Sequence, residues 1–176
     1  MTKNLYVLLF ASVLFSCTEQ KKTEANNNLL YFDLQGYFKK ESQRMKRANP
    51  SVYKTVSING ATESKKIKIA DWEKEFAVFI NANINKASWK GSFQTNVADS
   101  ESSYITNNKK IPVKKVTIAR RDSTVSMVQI IIHNKNVLFQ SNDTLTYYPD
   151  SLYEISKKQK IRILKEKIYK ITGRLK

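Results

Sequence analysis

Two segments of the chain carry apolar residues at helical spacing. The first stripe runs through residues 30–48 and consists of Leu30, Leu34, Tyr37, Phe38 and Met45. The second runs through residues 71–85 and consists of Trp72, Phe76, Phe79, Ile80 and Ile84. Each stripe predicts an amphipathic helix. The first helix should end at Asn49-Pro50, because the residue before a proline avoids the helical region, and Asp71 is placed to cap the second.

An alternating pattern predicts strands between the two helices and after them. Residues 52–58 and 66–70 flank Asn59-Gly60, a strong hairpin signal, and so predict a β-hairpin. From Ser88 onward the period of two predicts further strands at 90–97, 102–107, 113–121, 125–133, 136–141, 144–148, 152–157, 160–164 and 168–173. We place the turns between them at Asp99-Ser100, Asn107-Asn108, Asp122-Ser123, Asn134-Lys135, Asn142-Asp143 and Pro149-Asp150.

The connections between the predicted strands determine how the strands pair. They are too short for helical crossovers, so neighbouring strands must be antiparallel. We therefore expect an α+β fold in which two amphipathic helices pack on a long, curved antiparallel β-meander. A chain of 176 residues fits one such domain, which we place at residues 29–176.

The first 17 residues have the pattern of an export signal. Lys3 precedes an uncharged apolar run at 5–16 that is too short to cross a bilayer as a helix. The segment Leu14-Phe15-Ser16-Cys17 resembles the lipobox of bacterial lipoproteins. The resemblance implies removal of a signal peptide, residues 1–16, by cleavage after Ser16, and attachment of lipid to Cys17. A buried N-terminal helix and a plain secreted protein are the alternatives.

The segment after the cysteine links it to the folded part. Residues 17–28 begin with the lipidated Cys17 and continue as a polar, low-complexity stretch that predicts a flexible tether. The remainder resembles a group of small bacterial envelope lipoproteins in the segments 32–44, 57–76 and 145–164. This resemblance implies a helix–hairpin–helix–meander order and a lipid anchor on a bacterial membrane, preferentially the outer membrane. The folded domain would lie outside the cytoplasm.

Few residues of the chain point to catalysis. His133 is the single histidine, and it lies at the end of an apolar strand beside a predicted turn, which favours a position at the rim of the sheet. The sequence has no GxSxG, HExxH or glycine-rich phosphate motif. We therefore expect no catalytic residue, no metal site and no cofactor, although paired carboxylates of an unrecognised hydrolase stay as an alternative.

An excess of basic residues is the strongest chemical signal. Lys and Arg number 31 against 15 Asp and Glu, which gives a formal net charge of +16. Such a charge attracts polyanions, and outside the cytoplasm these are anionic lipids or acidic polysaccharides rather than nucleic acid. We therefore predict a non-enzymatic domain that binds a partner protein or an anionic envelope component. Outward lysines are also explained by solubility and by the protection of sheet edges.

Tyrosines in the strand region suggest an alternative function. They are Tyr104, Tyr147, Tyr148, Tyr153 and Tyr169. Lining a groove between a curved sheet and a helix, they would make the protein a carrier or sensor of a hydrophobic ligand. Adjacent Tyr147 and Tyr148 must point to opposite faces, so one of them is exposed or lines a cavity. Ordinary sheet packing with a wet hydroxyl is the other explanation.

Overall fold

Strands dominate the part of the chain that the computed structural model describes, residues 29–176. Strands make up 51% and helices 18% of this part, which is an α+β composition weighted toward the sheet. The predicted signal segment with Ser16, the lipidation site Cys17 and the tether lie outside the described residues. Among residues 29–176, no helix combines the length and the apolarity needed to cross a membrane.

The described strands form one antiparallel sheet. They are β1 (Ser51–Ile58), β2 (Ala61–Lys68), β3 (Gln94–Val97), β4 (Glu101–Ile105), β5 (Val113–Arg121), β6 (Thr124–Lys135), β7 (Phe139–Tyr148), β8 (Leu152–Ile161) and β9 (Lys167–Leu175). Their order in the sheet is β2-β1-β9-β8-β7-β6-β5-β4-β3. Strands β3 to β9 are therefore a continuous meander, and the β1–β2 hairpin extends it beyond β9. The predicted antiparallel pairing is confirmed.

The first helix, α1 (Leu34–Ala48), begins four residues later than the sequence predicts and ends where predicted. Asp33 caps it, since its Oδ1 accepts a hydrogen bond from the Gly36 amide at 2.8 Å. A Cβ at Gly36 would lie only 2.0 Å from Asp33 Oδ2, so glycine leaves room for the cap. Asn49 ends the helix in the left-handed region, with φ at 44°, directly before Pro50.

The prediction of one long helix over 71–85 is wrong. The segment forms two short helices, α2 (Trp72–Glu75) and α3 (Ala77–Asn81), followed later by a 3-10 turn at Ala87–Trp89. Asp71 does cap the first, because its Oδ1 accepts from the Lys74 amide at 2.9 Å. The chain leaves the helix after α3 because asparagine side chains compete for backbone partners. Asn85, for example, donates its amide to the Tyr31 carbonyl at 3.2 Å.

Two predicted pairs of strands are single strands. Predicted strands 136–141 and 144–148 are parts of β7, and 152–157 and 160–164 belong to β8, which ends at Ile161. The predicted turn Asn142-Asp143 lies inside β7, where Asp143 is paired with Lys157 across the strands at 3.6 Å. A polar residue that has a cross-strand partner continues a strand as well as an apolar one does. The predicted turn Asn134-Lys135 also lies inside a strand, since β6 ends at Lys135. The turn is at residues 136–138, where Asn136 Oδ1 accepts from the Phe139 amide at 2.8 Å.

Tight turns at two hairpins match their sequence signals. Asn59 and Gly60 have φ values of 51° and 93°, and Asp122 and Ser123 have 50° and 64°. Two successive residues with positive φ are the mark of the type I′ turn, whose twist fits an antiparallel pair. The predictions of a hairpin at Asn59-Gly60 and of a turn at Asp122-Ser123 are confirmed.

Aromatic rings of the helices meet tyrosines on one side of the sheet, which we call the core face. The ring centre of Phe38 lies 5.3 Å from that of Tyr147, and the centre of Phe76 lies 5.7 Å from that of Tyr153. Side chains alternate between the two sides of a strand, so the next residues along β7 and β8 point the opposite way. We call that opposite side the open face, because no helix of residues 29–176 packs on it.

Candidate functional site

The predicted tyrosines divide between the two faces. Tyr147 and Tyr153 are direct cross-strand neighbours on the core face, and both are fully buried. Tyr104 is also buried, with its ring centre 5.8 Å from that of Tyr31. Tyr148 lies on the open face with 42% of its surface exposed. The prediction that Tyr147 and Tyr148 point to opposite faces is confirmed.

Hydrogen bonds connect the two buried tyrosines to glutamates on the helices. The Tyr147 hydroxyl donates to Glu41 Oε2 of α1 at 2.5 Å. The Tyr153 hydroxyl donates to Glu75 Oε1 of α2 at 2.5 Å. Each hydrogen bond joins a helix to the centre of the sheet, so these pairs fix how the helices sit on the core face.

A basic side chain neutralises each of these glutamates. Arg44 donates two hydrogen bonds to Glu41, at 2.9 and 2.8 Å, and a third to Asp150 at 2.6 Å. Lys54 of β1 donates to both oxygens of Glu75, at 2.6 and 2.9 Å. Half-buried carboxylates need such partners, because an uncompensated buried charge is costly. Both glutamates thus have a cation and a phenol as partners.

Burial makes the two phenols unusually weak acids. Burial is the largest cause that raises the pKa of Tyr147 far above its usual range, and the hydrogen bond to Glu41 adds to it. The pKa of Tyr153 is raised by burial and then by its hydrogen bond to Glu75. A neutral phenol that donates to a carboxylate is a stable structural tie rather than a group poised to take up or release a proton near neutral pH.

Sequence reasoning missed Glu41, Arg44 and Lys54 and interpreted Glu75 only as a residue of a helix start. One signal could have revealed the first of them. Glu41 falls on the apolar stripe of the predicted helix, between Phe38 and Met45, where a charged residue needs a buried partner. The identity of that partner could not be read, since Tyr147 lies far along the chain.

The core tyrosines lie among packed rings rather than along a groove. The ring centre of Phe76 is 5.3 Å from that of Tyr147, and Phe38 stacks on Phe79 with 4.6 Å between ring centres. Two other predicted tyrosines do border open depressions. Tyr148 lines a wide cleft of about 570 Å³, and Tyr169 lines a hollow of about 50 Å³. The five tyrosines do not converge on one site.

The open face is strongly cationic. Its exposed basic side chains, assigned by strand register and alternation, include Lys66, Lys68, Lys115, Lys135, Lys158, Lys160, Lys170 and Arg174. The acidic side chains at its strand positions are Glu101 and Glu154, and the second of these pairs with Lys170 at 3.0 Å. His133 is also exposed on this face, opposite Asn142. A mobile anion therefore meets mainly positive charge here.

A row of polar, mostly small side chains crosses the middle of the open face. Successive cross-strand partners in this row are Asn96, Ser103, Thr117, Gln129, Thr146, Glu154, Thr172, Thr55 and Ser64. Neighbouring members can bond directly, as Thr55 and Ser64 do through their hydroxyls at 2.9 Å. Ser103 and Thr117 of this row are buried, whereas the other members are at least partly exposed to water.

Exposed aliphatic residues and cations meet at one end of the sheet, which we call the hairpin end and define as residues 135–139 and 160–167. The two segments are adjacent because the Arg162 amide donates to the Leu138 carbonyl at 2.9 Å. Their aliphatic residues are exposed to the following extents: Val137 81%, Leu138 64%, Ile163 88% and Leu164 55%. Their exposed cations are Lys135, Lys160, Arg162, Lys165 and Lys167. The hairpin end is thus both apolar and basic.

Comparisons of the chain with known families, proteins and structures give no match. No family model matches the chain, and no curated protein and no solved structure is significantly similar to it. Charge, exposure and hydrogen bonding of the described residues are therefore the grounds for a functional proposal.

Proposed function

We propose that this protein is a non-enzymatic, lipid-anchored component of the bacterial cell envelope whose basic domain binds an anionic envelope component. One observation carries the proposal, namely the concentration of exposed cations on the open face and at the hairpin end. Nearby like charges repel one another, and an anionic partner relieves that repulsion. The arrangement thus favours binding of a polyanion over an uncharged ligand.

Cations lie close together where the open face reaches the hairpin end. Lys135 on β6 and Lys160 on β8 are both partners of Gln140 on the strand between them. Two strand spacings separate them by about 10 Å. Lys158 lies on the same face of β8 two residues from Lys160, and Glu166 pairs with it at 3.1 Å. Lys135 and Lys160 form no salt bridge with an acid of residues 29–176, so both can meet an anion.

The lipid anchor rests on the N-terminal residues. The segment Leu14-Phe15-Ser16-Cys17 supports cleavage after Ser16 and lipid on Cys17. More than one acyl chain gives a firm attachment, whereas a single chain binds reversibly. The anchor would hold the basic domain next to the anionic headgroups and polysaccharides of the envelope, on a bacterial membrane that we take to be the outer one.

The alternative of a hydrophobic-ligand carrier gains no support from the geometry. Its groove would lie between the sheet and the helices, where Tyr147 and Tyr153 pack against Phe38 and Phe76. An enzyme gains no support either from the buried acids, since Glu41 and Glu75 are each occupied by a tyrosine and a cation.

Binding assays with matched charge variants test the proposal. The test protein is the chain 18–176, because the described sheet and its core close within residues 29–176. One variant carries Lys135→Gln, Lys160→Gln and Lys165→Gln. The control carries Lys39→Gln, Lys40→Gln and Lys46→Gln, which remove the same charge from exposed positions of α1 on the other side of the sheet.

Two anionic probes are used, vesicles containing phosphatidylglycerol and soluble polygalacturonate. We expect salt-sensitive binding to at least one of them, weakened about tenfold or more by the hairpin-end variant. The α1 variant should bind as the parent protein does. Equal weakening by both variants would mean that net charge alone drives binding, and absence of binding to both probes would refute the proposed function.

A further inference from the structure

We propose that the hairpin end inserts its aliphatic residues into the headgroup region of an anionic phospholipid bilayer. This inference rests on the proposed function and names the anionic component as a lipid surface. Turns between exposed strands are ordinarily polar, and Val137 and Ile163 at their tips are instead the most exposed large apolar residues described. Residues 29–176 give these two side chains no apolar surrounding.

Two adjacent turns combine to make a patch rather than a single exposed side chain. Leu138 joins β7 to the start of the β8–β9 turn through its carbonyl, which accepts from the Arg162 amide at 2.9 Å. Val137 and Ile163 lie next to this contact in the two turns. Adjacent exposed apolar residues mark an interaction surface, whereas scattered ones are ordinary.

Cations surround the apolar patch. Lys135 and Lys160 are on the open-face side, and Arg162 and Lys165 lie in the β8–β9 turn itself. A surface of aliphatic residues bordered by Lys and Arg fits the boundary between acyl chains and negatively charged headgroups. A soluble acidic polysaccharide would use the cations and leave the aliphatic residues in water. The pairing of the two features therefore favours a bilayer.

The hairpin end is free to reach a flat surface. The helices contact the sheet at Tyr147 and Tyr153, whereas the cross-strand pair Phe139 and Ile161 lies at the other end of β7 and β8. The distance along the strands is about 26 Å, from the rise of a β-strand. The two turns therefore project well beyond the part of the sheet to which the helices are packed.

A fluorescence experiment measures insertion directly. Cys17 is the single cysteine of the sequence, so the chain 18–176 has none and accepts a polarity-sensitive dye at one engineered cysteine. The test positions are Val137→Cys and Ile163→Cys. The control is Val97→Cys in β3, a valine that is 72% exposed at the edge of the sheet opposite β2.

On vesicles containing phosphatidylglycerol, the emission of the dye at positions 137 and 163 should shift to the blue. Nitroxides placed in the bilayer should quench that emission. Phosphatidylcholine vesicles should give no shift, and the dye at position 97 should not respond to either. Binding to anionic vesicles without a shift at 137 and 163 would mean that another surface makes the contact, and would overturn the inference.

Affinity measurements separate this inference from the proposed function. The double variant Val137→Asn with Ile163→Asn removes the aliphatic side chains without changing the charge, and should bind anionic vesicles at least about tenfold more weakly and bind polygalacturonate as before. Val97→Asn should change neither affinity. If polygalacturonate binds through the hairpin-end lysines and vesicles do not bind, the inference is wrong and the proposed function stands. If neither probe binds, both are wrong.

Discussion

Strands β6 to β9 pass through two different environments along their length. Near Tyr147 and Tyr153 they lie under α1 and α2, in a layer of contacting rings and neutralised carboxylates. At the hairpin end the same strands finish in exposed aliphatic residues and lysines. The contrast separates two sets of residues: those of the covered part fix the fold, whereas those of the hairpin end can change at little cost in folding free energy.

The same substitution at the two ends tests this separation with the largest expected effect. Ile130 on β6 is fully buried between Val116 and Leu145, whereas Ile163 is 88% exposed. Ile130→Ala should lower the free energy of unfolding by about 2–5 kcal/mol because it leaves a cavity. Ile163→Ala should change it by less than about 0.5 kcal/mol. Urea unfolding of both variants measures the difference, and similar losses would break the comparison.

Alkaline pH should lower the free energy of unfolding through the tyrosines of the covered part. The pKa values of Tyr147 and Tyr153 are raised in the folded protein. Their contribution is therefore complete below about pH 10, the ordinary tyrosine pKa, and is lost as pH rises toward the folded values. Above pH 10 each tyrosine should lower the free energy of unfolding by about 1.4 kcal/mol per pH unit.

Urea unfolding at several alkaline pH values, with tyrosinate absorbance followed in parallel, measures this slope. Burial also raises the pKa of Tyr37. The variant Tyr147→Phe therefore removes one of three such groups and should reduce the slope by about a third. Ionisation of both tyrosines in the folded protein near pH 10 would contradict the assignment of the buried hydrogen bonds.

A substitution at Gly173 should give the smallest of the three losses of stability, and the loss should depend on the ring of Tyr153. A Cβ at this position of β9 would lie 2.2 Å from Cε1 of Tyr153, its cross-strand partner. Gly173→Ala should therefore cost about 1–3 kcal/mol, because the ring must shift away from Phe76 and Glu75. In a Tyr153→Ala background the same methyl group should cost much less. An equal cost in both backgrounds would place the clash elsewhere.

Local signals in the sequence predicted the elements whose cause is local. Asn59-Gly60 gives a two-residue turn wherever strands flank it. Asp71 caps its helix by accepting a hydrogen bond from the amide three residues ahead. The bounds of β5 were predicted as the structure has them, 113–121, because Asp122-Ser123 stops the strand with its own backbone preference. Such elements require no knowledge of distant residues.

Elements that depend on distant partners were not predicted correctly. Asn142-Asp143 favours a turn by local preference, and only the pairing of β7 with β6 and β8 keeps it in a strand. The hydrogen bond from Tyr147 to Glu41 has the same character, since its two residues are 106 positions apart. The hairpin end could not be recognised either, because its two turns become neighbours only through the register of β7 and β8. Lipidation of Cys17 stays a prediction from the N-terminal pattern.

The position of β1 between β2 and β9 has a consequence for the order of events during synthesis. Val52 pairs with Leu175 and Ile58 with Tyr169, so β1 meets this neighbour only after β9 has been made. Until then β1 and β2 form an isolated hairpin, which is marginally stable by itself. Such distant pairings also slow folding. The meander of β3 to β8 can thus pair as it is made, whereas the β1–β2 hairpin joins the sheet only once β9 is in place.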